Sequence, residues 1–92
     1  MSKGETKVFI SKLFFDALDE VRSQRTLDEV ARKLQLLASF PDMGRISTSL
    51  SITSHFGDNV RTLTCGNYVL VYSHEADVVN VLALHPARLI VN

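Results

Sequence analysis

Two arginines flank the strand-rich end of this sequence, and they are its first candidates for a chemical role. Arg61 precedes the run TLTCGNYVLVY, and Arg88 closes the stretch LHPAR. A guanidinium group presents a planar fork of N–H donors that fits phosphate and carboxylate groups. Neighbouring strands can bring such residues together, with Arg45 as a third member. The alternative is that each arginine is an exposed charge at the end of a strand.

The other residue types that carry chemistry form no recognisable set. His55, His74 and His85 fall in a loop, a turn and a position after a strand, without the spacing of a metal-binding helix. His85 could act as a general acid or base because the ordinary imidazole pKa is about 6.5, and a structural hydrogen bond is the alternative. Cys65 is the one cysteine and has no base nearby in sequence. We therefore predict no metal site and no cofactor.

The composition excludes several classes of protein. The 92 residues are 46% hydrophobic and 22% charged, as expected for a single globular domain over 1–92. No apolar run approaches the ~18 residues of a membrane span and no signal peptide is visible, so we expect a cytoplasmic protein without membrane contact. The formal net charge is zero, and only two arginines follow Arg45. Direct nucleic-acid binding is not indicated, because it needs clustered lysines and arginines.

The N-terminal half predicts one strand and two helices. KVFIS at 7–11 is β-branched and aromatic, as strands tend to be. Apolar residues then recur at helical spacing over 12–24, with Ser11 as the N-cap. A second helix opens with Thr26 at its N-cap, a glutamate three residues later completes a capping box, and the helix ends before Pro41. The short connection between the two helices predicts an antiparallel hairpin.

The C-terminal third predicts three strands. VRTL (60–63), YVLVYS (68–73) and VVNVLAL (78–84) are separated by TCGN and HEAD, which suit hairpin turns. We predict an α+β fold: a three-stranded antiparallel meander joined by the N-terminal strand, with the helical hairpin on one face. The stretch between Pro41 and Val60 has no lasting period and predicts a surface loop with one short unassigned element.

Both faces of the predicted sheet are apolar. Along the middle strand, Tyr68, Leu70 and Tyr72 alternate with Val69 and Val71. Two helices can cover only one of these faces, so the other needs a second cover. Either the Ser/Thr-rich loop and the C-terminal tail fold over it, or another polypeptide binds there in a groove or along a strand edge.

Nearly the whole sequence resembles the RelE/ParE superfamily of toxins from type II toxin-antitoxin modules. The resemblance rests on a P-x-x-G turn at Pro41 and Gly44, on R-x-L leading to Y-x-[LIV]-x-Y, and on a closing strand followed by H-x-x-R. It implies a sheet with two N-terminal helices on one face, which agrees with the fold predicted from periodicity. It also implies the toxin component of a plasmid-stabilisation module.

Members of that superfamily divide by mechanism, and this sequence is more similar to ParE than to RelE. RelE-like toxins cleave messenger RNA on the ribosome with basic residues, whereas ParE-like toxins are associated with poisoning DNA gyrase. Where the RelE pattern has arginine after the strand tyrosine, this sequence has Val69, and no tyrosine follows Arg88. Losing one contact to transition-state charge costs about 3–4 kcal/mol, so Arg61, Arg88 and His85 would form a weak nuclease.

The resemblance therefore implies a non-enzymatic toxin that inhibits growth by binding a target such as DNA gyrase. A cognate antitoxin would neutralise it by folding a C-terminal segment onto it, so that any contact with DNA is indirect. Two alternatives stay open: a ribosome-dependent mRNA endoribonuclease, and an inactive member kept as an antitoxin-binding module or co-repressor. The residues expected to contact a partner are Leu13, Leu18, Val69, Val71, Tyr72 and Arg88.

Overall fold

A computed structural model describes residues 6–47 and 49–89 and shows five strands and three α-helices in this part of the chain. The strands are β1 (Lys7–Ile10), β2 (Arg45–Ile46), β3 (Val60–Cys65), β4 (Tyr68–Glu75) and β5 (Val78–Pro86). The helices are α1 (Lys12–Leu18), α2 (Gln24–Ser39) and α3 (Leu50–Phe56), and a 3-10 turn follows at Ala87–Leu89. The fold is α+β and begins with a strand, as predicted.

The five strands form one mixed sheet in the order β1-β5-β4-β3-β2. β3, β4 and β5 pair antiparallel in sequence order, and β2 pairs antiparallel with β3. β1 runs parallel to β5, with Val8 beside Val79 and Ile10 beside Val81. The sequence predicted a three-stranded antiparallel meander joined by the N-terminal strand. The parallel β1–β5 pair and the additional edge strand β2 make the observed sheet mixed and five-stranded.

α1 is shorter than predicted because the chain leaves the helix after Leu18. Ser11 caps the helix as predicted, since its hydroxyl accepts a hydrogen bond from the Phe14 amide at 3.1 Å. Beyond Leu18, the amides of Glu20 and Val21 bond to carbonyls three residues back, which closes a turn. This turn places Val21 in the core, where it is 6% exposed.

α2 begins three residues earlier than predicted. Ser23 is its N-cap and accepts a hydrogen bond from the Thr26 amide at 3.3 Å, so the predicted capping box at Thr26 is wrong. The Thr26 side chain is buried, and a Cβ added to Gly66 would lie 2.9 Å from its hydroxyl oxygen. Glu29 instead pairs with Lys33 at 3.0 Å. The upstream serine therefore caps the helix, and the threonine packs against the β3–β4 turn.

α1 and α2 pack on the same face of the sheet. α1 lies along β5, and α2 contacts β3 and β1. Phe14, Leu37 and Tyr72 are completely buried in the core between these helices and the sheet. Each helix is therefore held by the sheet, and these contacts do not establish the predicted hairpin of the two helices.

α3 covers the centre of the opposite face, within the segment for which the sequence predicted a surface loop. Ile52 is 1% exposed and packs with Val60, Val71 and Ala83, and Phe56 lies against the same cluster. A short amphipathic helix thus removes much of the second apolar face from solvent. Cover by this chain itself was one of the two alternatives that the sequence left open.

A β-bulge in β5 changes which residues face α3. Leu82 is the extra residue between the partners of two consecutive β4 residues. Strict alternation predicted Ala83 on the same face as Val81, but the bulge turns Ala83 towards α3. The Leu82 carbonyl accepts a hydrogen bond from the Ser11 hydroxyl at 2.8 Å. The residue that caps α1 therefore also stabilises the bulge.

Candidate functional site

Tyr72 holds the turn formed by residues 41–44 against the sheet. Its hydroxyl donates to the Pro41 carbonyl at 2.8 Å and accepts from the Gly44 amide at 2.9 Å. The ring is completely buried, and burial raises the pKa of the Tyr72 phenol. Position 44 requires glycine, because a Cβ there would lie 2.7 Å from the Thr62 carbonyl oxygen and 2.8 Å from the Tyr72 hydroxyl.

Arg61 binds the same turn from β3. Its Nη1 donates to the Gly44 carbonyl at 2.8 Å and to the Asp42 carbonyl at 3.3 Å. Its Nε lies 3.7 Å from the exposed Asp42 carboxylate, a distance at which an ion pair adds little stability. The guanidinium is thus engaged with backbone oxygens, and structural anchoring accounts for the first of the two arginines.

His74 adds a third contact to the turn. Its Nδ1 lies 2.7 Å from Asp42 Oδ1. This hydrogen bond holds the pKa of the Asp42 carboxyl below its ordinary value, although burial opposes the effect and Arg61 contributes less. We call Arg61, Tyr72 and His74 the turn clamp. It explains in physical terms why the P-x-x-G turn and the R-x-L and Y-x-L-x-Y strands belong to one unit.

The two arginines are not brought together. Arg61 pairs with Tyr72 across β3 and β4, whereas Pro86, which precedes the turn that carries Arg88, pairs with Tyr68. The four-residue step from Tyr68 to Tyr72 spans ~13 Å along a strand. The backbone positions that carry the two guanidinium groups are therefore well separated along the sheet.

His85 lies on the α3 side of the sheet. Its ring centroid is 6.1 Å from that of Phe56. Burial lowers the pKa of His85, and the charge of His55 lowers it further. Arg45 is exposed on the edge strand β2. The residues predicted for a nuclease thus occupy separate surfaces, with Arg61 in the turn clamp and His85 beside α3.

The residues predicted to contact a partner differ in accessibility. Val71 and Tyr72 are completely buried, the first beneath α3 and the second in the turn clamp. Their side chains therefore present no surface to a partner. The sequence left open whether this chain or a partner covers the second face of the sheet, and it did not place the turn. Leu18 and Val69 are half-buried, and Leu13 is 55% exposed.

Leu13 borders a groove between α1 and the C-terminal half of β5. β1 pairs with β5 only as far as Val81, so the rest of β5 has a helix beside it instead of a strand. The groove has a volume of about 250 Å³. Its lining residues come from α1, the following turn and β5, and they are Leu13, Asp16, Ala17, Glu20, Ala83, Leu84 and His85. We call it the α1–β5 groove.

The α1–β5 groove combines apolar walls with carboxylates. Asp16 and Glu20 are four residues apart, and the described part of the chain contributes no lysine or arginine to the groove lining. Asp16 pairs with Lys12 at 3.1 Å, but both side chains are largely exposed, so the pair is weak. Such a surface suits an apolar peptide segment that carries a basic side chain. It presents no nucleophile activated by a base.

The sequence predicted that Leu13 contacts a partner, but it did not predict this groove or most of the other residues that line it. For Asp16 and Glu20, the four-residue spacing was the available signal that they share a surface. Strict alternation placed Ala83 and Leu84 on the wrong faces of the sheet, because the bulge in β5 alters the alternation of the strand. His85 was predicted for chemistry, not for a peptide groove.

The described residues form neither a metal-binding cluster nor a membrane-spanning helix. Within 6–47 and 49–89, no group of three or more histidine, cysteine or carboxylate side chains is arranged to bind a metal ion. No helix in that same part of the chain is long and apolar enough to cross a bilayer. Cys65 is completely buried, and burial raises the pKa of its thiol to about 11.

Comparison with known proteins assigns the chain to a family. A family model described as the ParE toxin of type II toxin-antitoxin system, parDE, matches residues 8–88. A search of curated proteins found no match. The matched region extends from β1 to the 3-10 turn and includes the turn clamp and the α1–β5 groove. The chain therefore belongs to the ParE family of type II toxin-antitoxin toxins, closer to ParE than to RelE.

Proposed function

We propose that this toxin inhibits growth by binding DNA gyrase, without cleaving RNA, and that a cognate antitoxin neutralises it by occupying the α1–β5 groove. Membership in the family implies that a protein antitoxin exists as its partner. Gyrase and such an antitoxin are both cytoplasmic, so the proposal places the toxin in the cytoplasm.

The engagement of Arg61 is the observation that carries the non-enzymatic proposal. A ribonuclease of this superfamily needs preorganised positive groups around one phosphate. Arg61 donates instead to the Gly44 carbonyl within the turn clamp, and Arg88 starts from a position well separated from it along the sheet. Val69, which stands where the RelE pattern has arginine, brings no charge. A toxin that acts by binding needs none of these groups to converge.

The α1–β5 groove supports the antitoxin proposal by its chemistry. Leu13 is a large apolar side chain left 55% exposed beside the groove, and a bound segment would bury it. The carboxylates of Asp16 and Glu20 favour a lysine or arginine on that segment. A tail that folds as it binds would use both features, because apolar burial must offset the entropy of ordering it.

Induced expression in bacteria tests the gyrase proposal. We expect growth to stop, plasmid DNA to lose negative supercoiling as gyrase fails, and reporter messenger RNA to stay intact. Plasmid topoisomers on chloroquine gels and RNA primer extension from the same culture provide the two measurements. Cleaved messenger RNA with unchanged plasmid topology would contradict the proposal and favour the endoribonuclease. Normal growth despite folded toxin would favour the inactive member.

A matched pair of substitutions in α1 tests the groove. Leu13 and Phe15 are similarly exposed, at 55% and 51%, but only Leu13 lines the α1–β5 groove. Leu13→Glu should weaken binding of the antitoxin at least tenfold, because it places a third carboxylate beside an apolar contact. Phe15→Glu should bind nearly as the wild type does. Calorimetry measures both affinities, with the protein encoded by an adjoining small reading frame as the antitoxin. Equal affinities of the two variants would show that the groove is not part of the interface.

A further inference from the structure

A second cavity lies beyond the end of β5, where the β3–β4 turn meets the 3-10 turn. We infer that it binds a small oxyanion, a phosphate or a carboxylate, carried on a flat apolar group. Its volume is about 410 Å³, which is within the range of small-molecule sites. Its walls are formed by Asn67, Tyr68, Pro86, Ala87 and Arg88. We call it the Arg88 cavity.

Backbone contacts build the Arg88 cavity. The β3–β4 turn consists of Gly66 and Asn67, with Gly66 at a φ of 62°, in the left-handed region that glycine tolerates. The Ala87 amide donates to the Asn67 carbonyl at 2.8 Å, which ties the 3-10 turn to the hairpin. Tyr68 and Pro86 are cross-strand partners in β4 and β5. The walls therefore have a defined arrangement before any ligand binds.

The polar groups at the Arg88 cavity are donors without partners among the residues that the structure describes. Arg88, the Tyr68 hydroxyl and the Asn67 side-chain amide make no hydrogen bond or ion pair there. None of the described residues that line the cavity carries a carboxylate. A guanidinium fork can bind two oxygens of a phosphate or carboxylate, and the phenol and amide can each donate one further hydrogen bond.

The apolar residues that line the cavity would contact the flat apolar part of the ligand. The half-buried Tyr68 ring and Pro86 lie side by side across β4 and β5 and offer an apolar wall next to the charge. Aromatic groups pack against such rings in stacked or edge-on arrangements. This site is separate from the turn clamp and from the α1–β5 groove, and it does not depend on the proposed function.

Titration of the ¹⁵N-labelled full chain, followed by NMR, tests the inference. The probes are benzoate, phenyl phosphate and benzamide, of which benzamide has nearly the shape of benzoate but no charge. We expect benzoate or phenyl phosphate to give saturable shifts of the Asn67, Tyr68 and Ala87 amides. Benzamide should bind at least about tenfold more weakly, because it lacks charge-assisted hydrogen bonds to Arg88. Comparing the affinities of benzoate and phenyl phosphate shows whether the site prefers a carboxylate or a phosphate.

Two variants complete the test. Arg88→Gln should weaken the preferred anion about tenfold. Arg22→Gln removes the same charge from another exposed position and should leave the affinity unchanged. The inference is overturned if neither anion saturates these resonances, if benzamide binds as well as benzoate, or if both variants bind equally. Tyr68→Phe should retain the aromatic wall and lose only the hydroxyl contribution.

Discussion

The hydroxyl of Tyr72 accepts a hydrogen bond from the Gly44 amide at 2.9 Å, in a site where the ring is completely buried. The two residues belong to motifs 28 positions apart, yet no side chain larger than hydrogen fits between them. Arg61 binds the carbonyl of the same glycine. The P-x-x-G turn, the arginine strand and the tyrosine strand are therefore one structural unit, and Arg61 is part of its support.

Tyr72→Phe should lower the free energy of unfolding by about 1–3 kcal/mol, because the Pro41 carbonyl and the Gly44 amide lose a buried partner. Urea unfolding followed by circular dichroism measures the change. Tyr68→Phe is the matched control, since the Tyr68 hydroxyl has no partner within the described residues, and it should change stability by less than about 0.5 kcal/mol. Similar losses of unfolding free energy in the two variants would mean that the hydrogen bonds of the Tyr72 hydroxyl do not stabilise the fold.

The β4–β5 turn should become more stable with glycine at position 76. Ala76 has a φ of 54°, which costs an L-residue about 1–2 kcal/mol. Ala76→Gly removes this strain but adds entropy to the unfolded chain, so we expect a net gain of about 0.5–1 kcal/mol in the free energy of unfolding. Gly66→Ala should lower it, since it adds the same strain and a close contact with Thr26. A loss of stability in Ala76→Gly would contradict the turn geometry.

Stability should fall as the pH is lowered through about 6.5, partly because of His85. Burial lowers the pKa of His85 in the folded chain, so the unfolded chain binds more protons between the two pKa values. Protonation therefore favours unfolding as the pH falls from the unfolded-state pKa towards the folded one. His85→Gln should lose the ring contact with Phe56 but show a smaller difference between pH 8 and pH 5.5. An unchanged pH dependence, from urea midpoints at both pH values, would exclude His85 as a source.

Cys65 should resist thiol reagents until the domain unfolds. Its side chain is completely buried and burial raises the pKa of its thiol to about 11, so thiolate is scarce and shielded at pH 8. Reaction with 5,5′-dithiobis(2-nitrobenzoate) should be slow in buffer and rapid in guanidinium chloride. Rapid labelling of the folded protein, with no loss of helical signal, would show that this part of the core is accessible.

The helices and strands with strong local signals could be predicted from the sequence. β1, β4 and the Ser11 cap of α1 follow from periodicity and residue type, and the family follows from the order of its motifs. Cover by the α3 segment stayed one of two alternatives, and the helix itself was unassigned, because seven residues rich in serine and threonine carry little periodicity. The parallel pairing of β1 with β5 depends on contacts between distant segments, which local patterns do not specify.

The candidate site was less predictable than the fold, and for related reasons. The sequence left Arg61 open between an oxyanion-binding role and an exposed charge at a strand end, since its partners are backbone oxygens that no spacing reveals. Val71 and Tyr72 were expected at a partner surface because the cover from α3 and the position of the turn were not known. Asp16 and Glu20 became relevant only once β5 was seen to extend past β1 alongside α1.

Supercoiling by purified gyrase is the measurement that most directly tests a non-enzymatic, ParE-like toxin. Relaxed plasmid, gyrase and ATP are incubated with the purified toxin, and the same preparation is added to ribosomes stalled on messenger RNA. The account predicts that micromolar toxin inhibits supercoiling and leaves the messenger RNA intact. Normal supercoiling together with ribosome-dependent RNA cleavage that Arg88→Ala abolishes would contradict it.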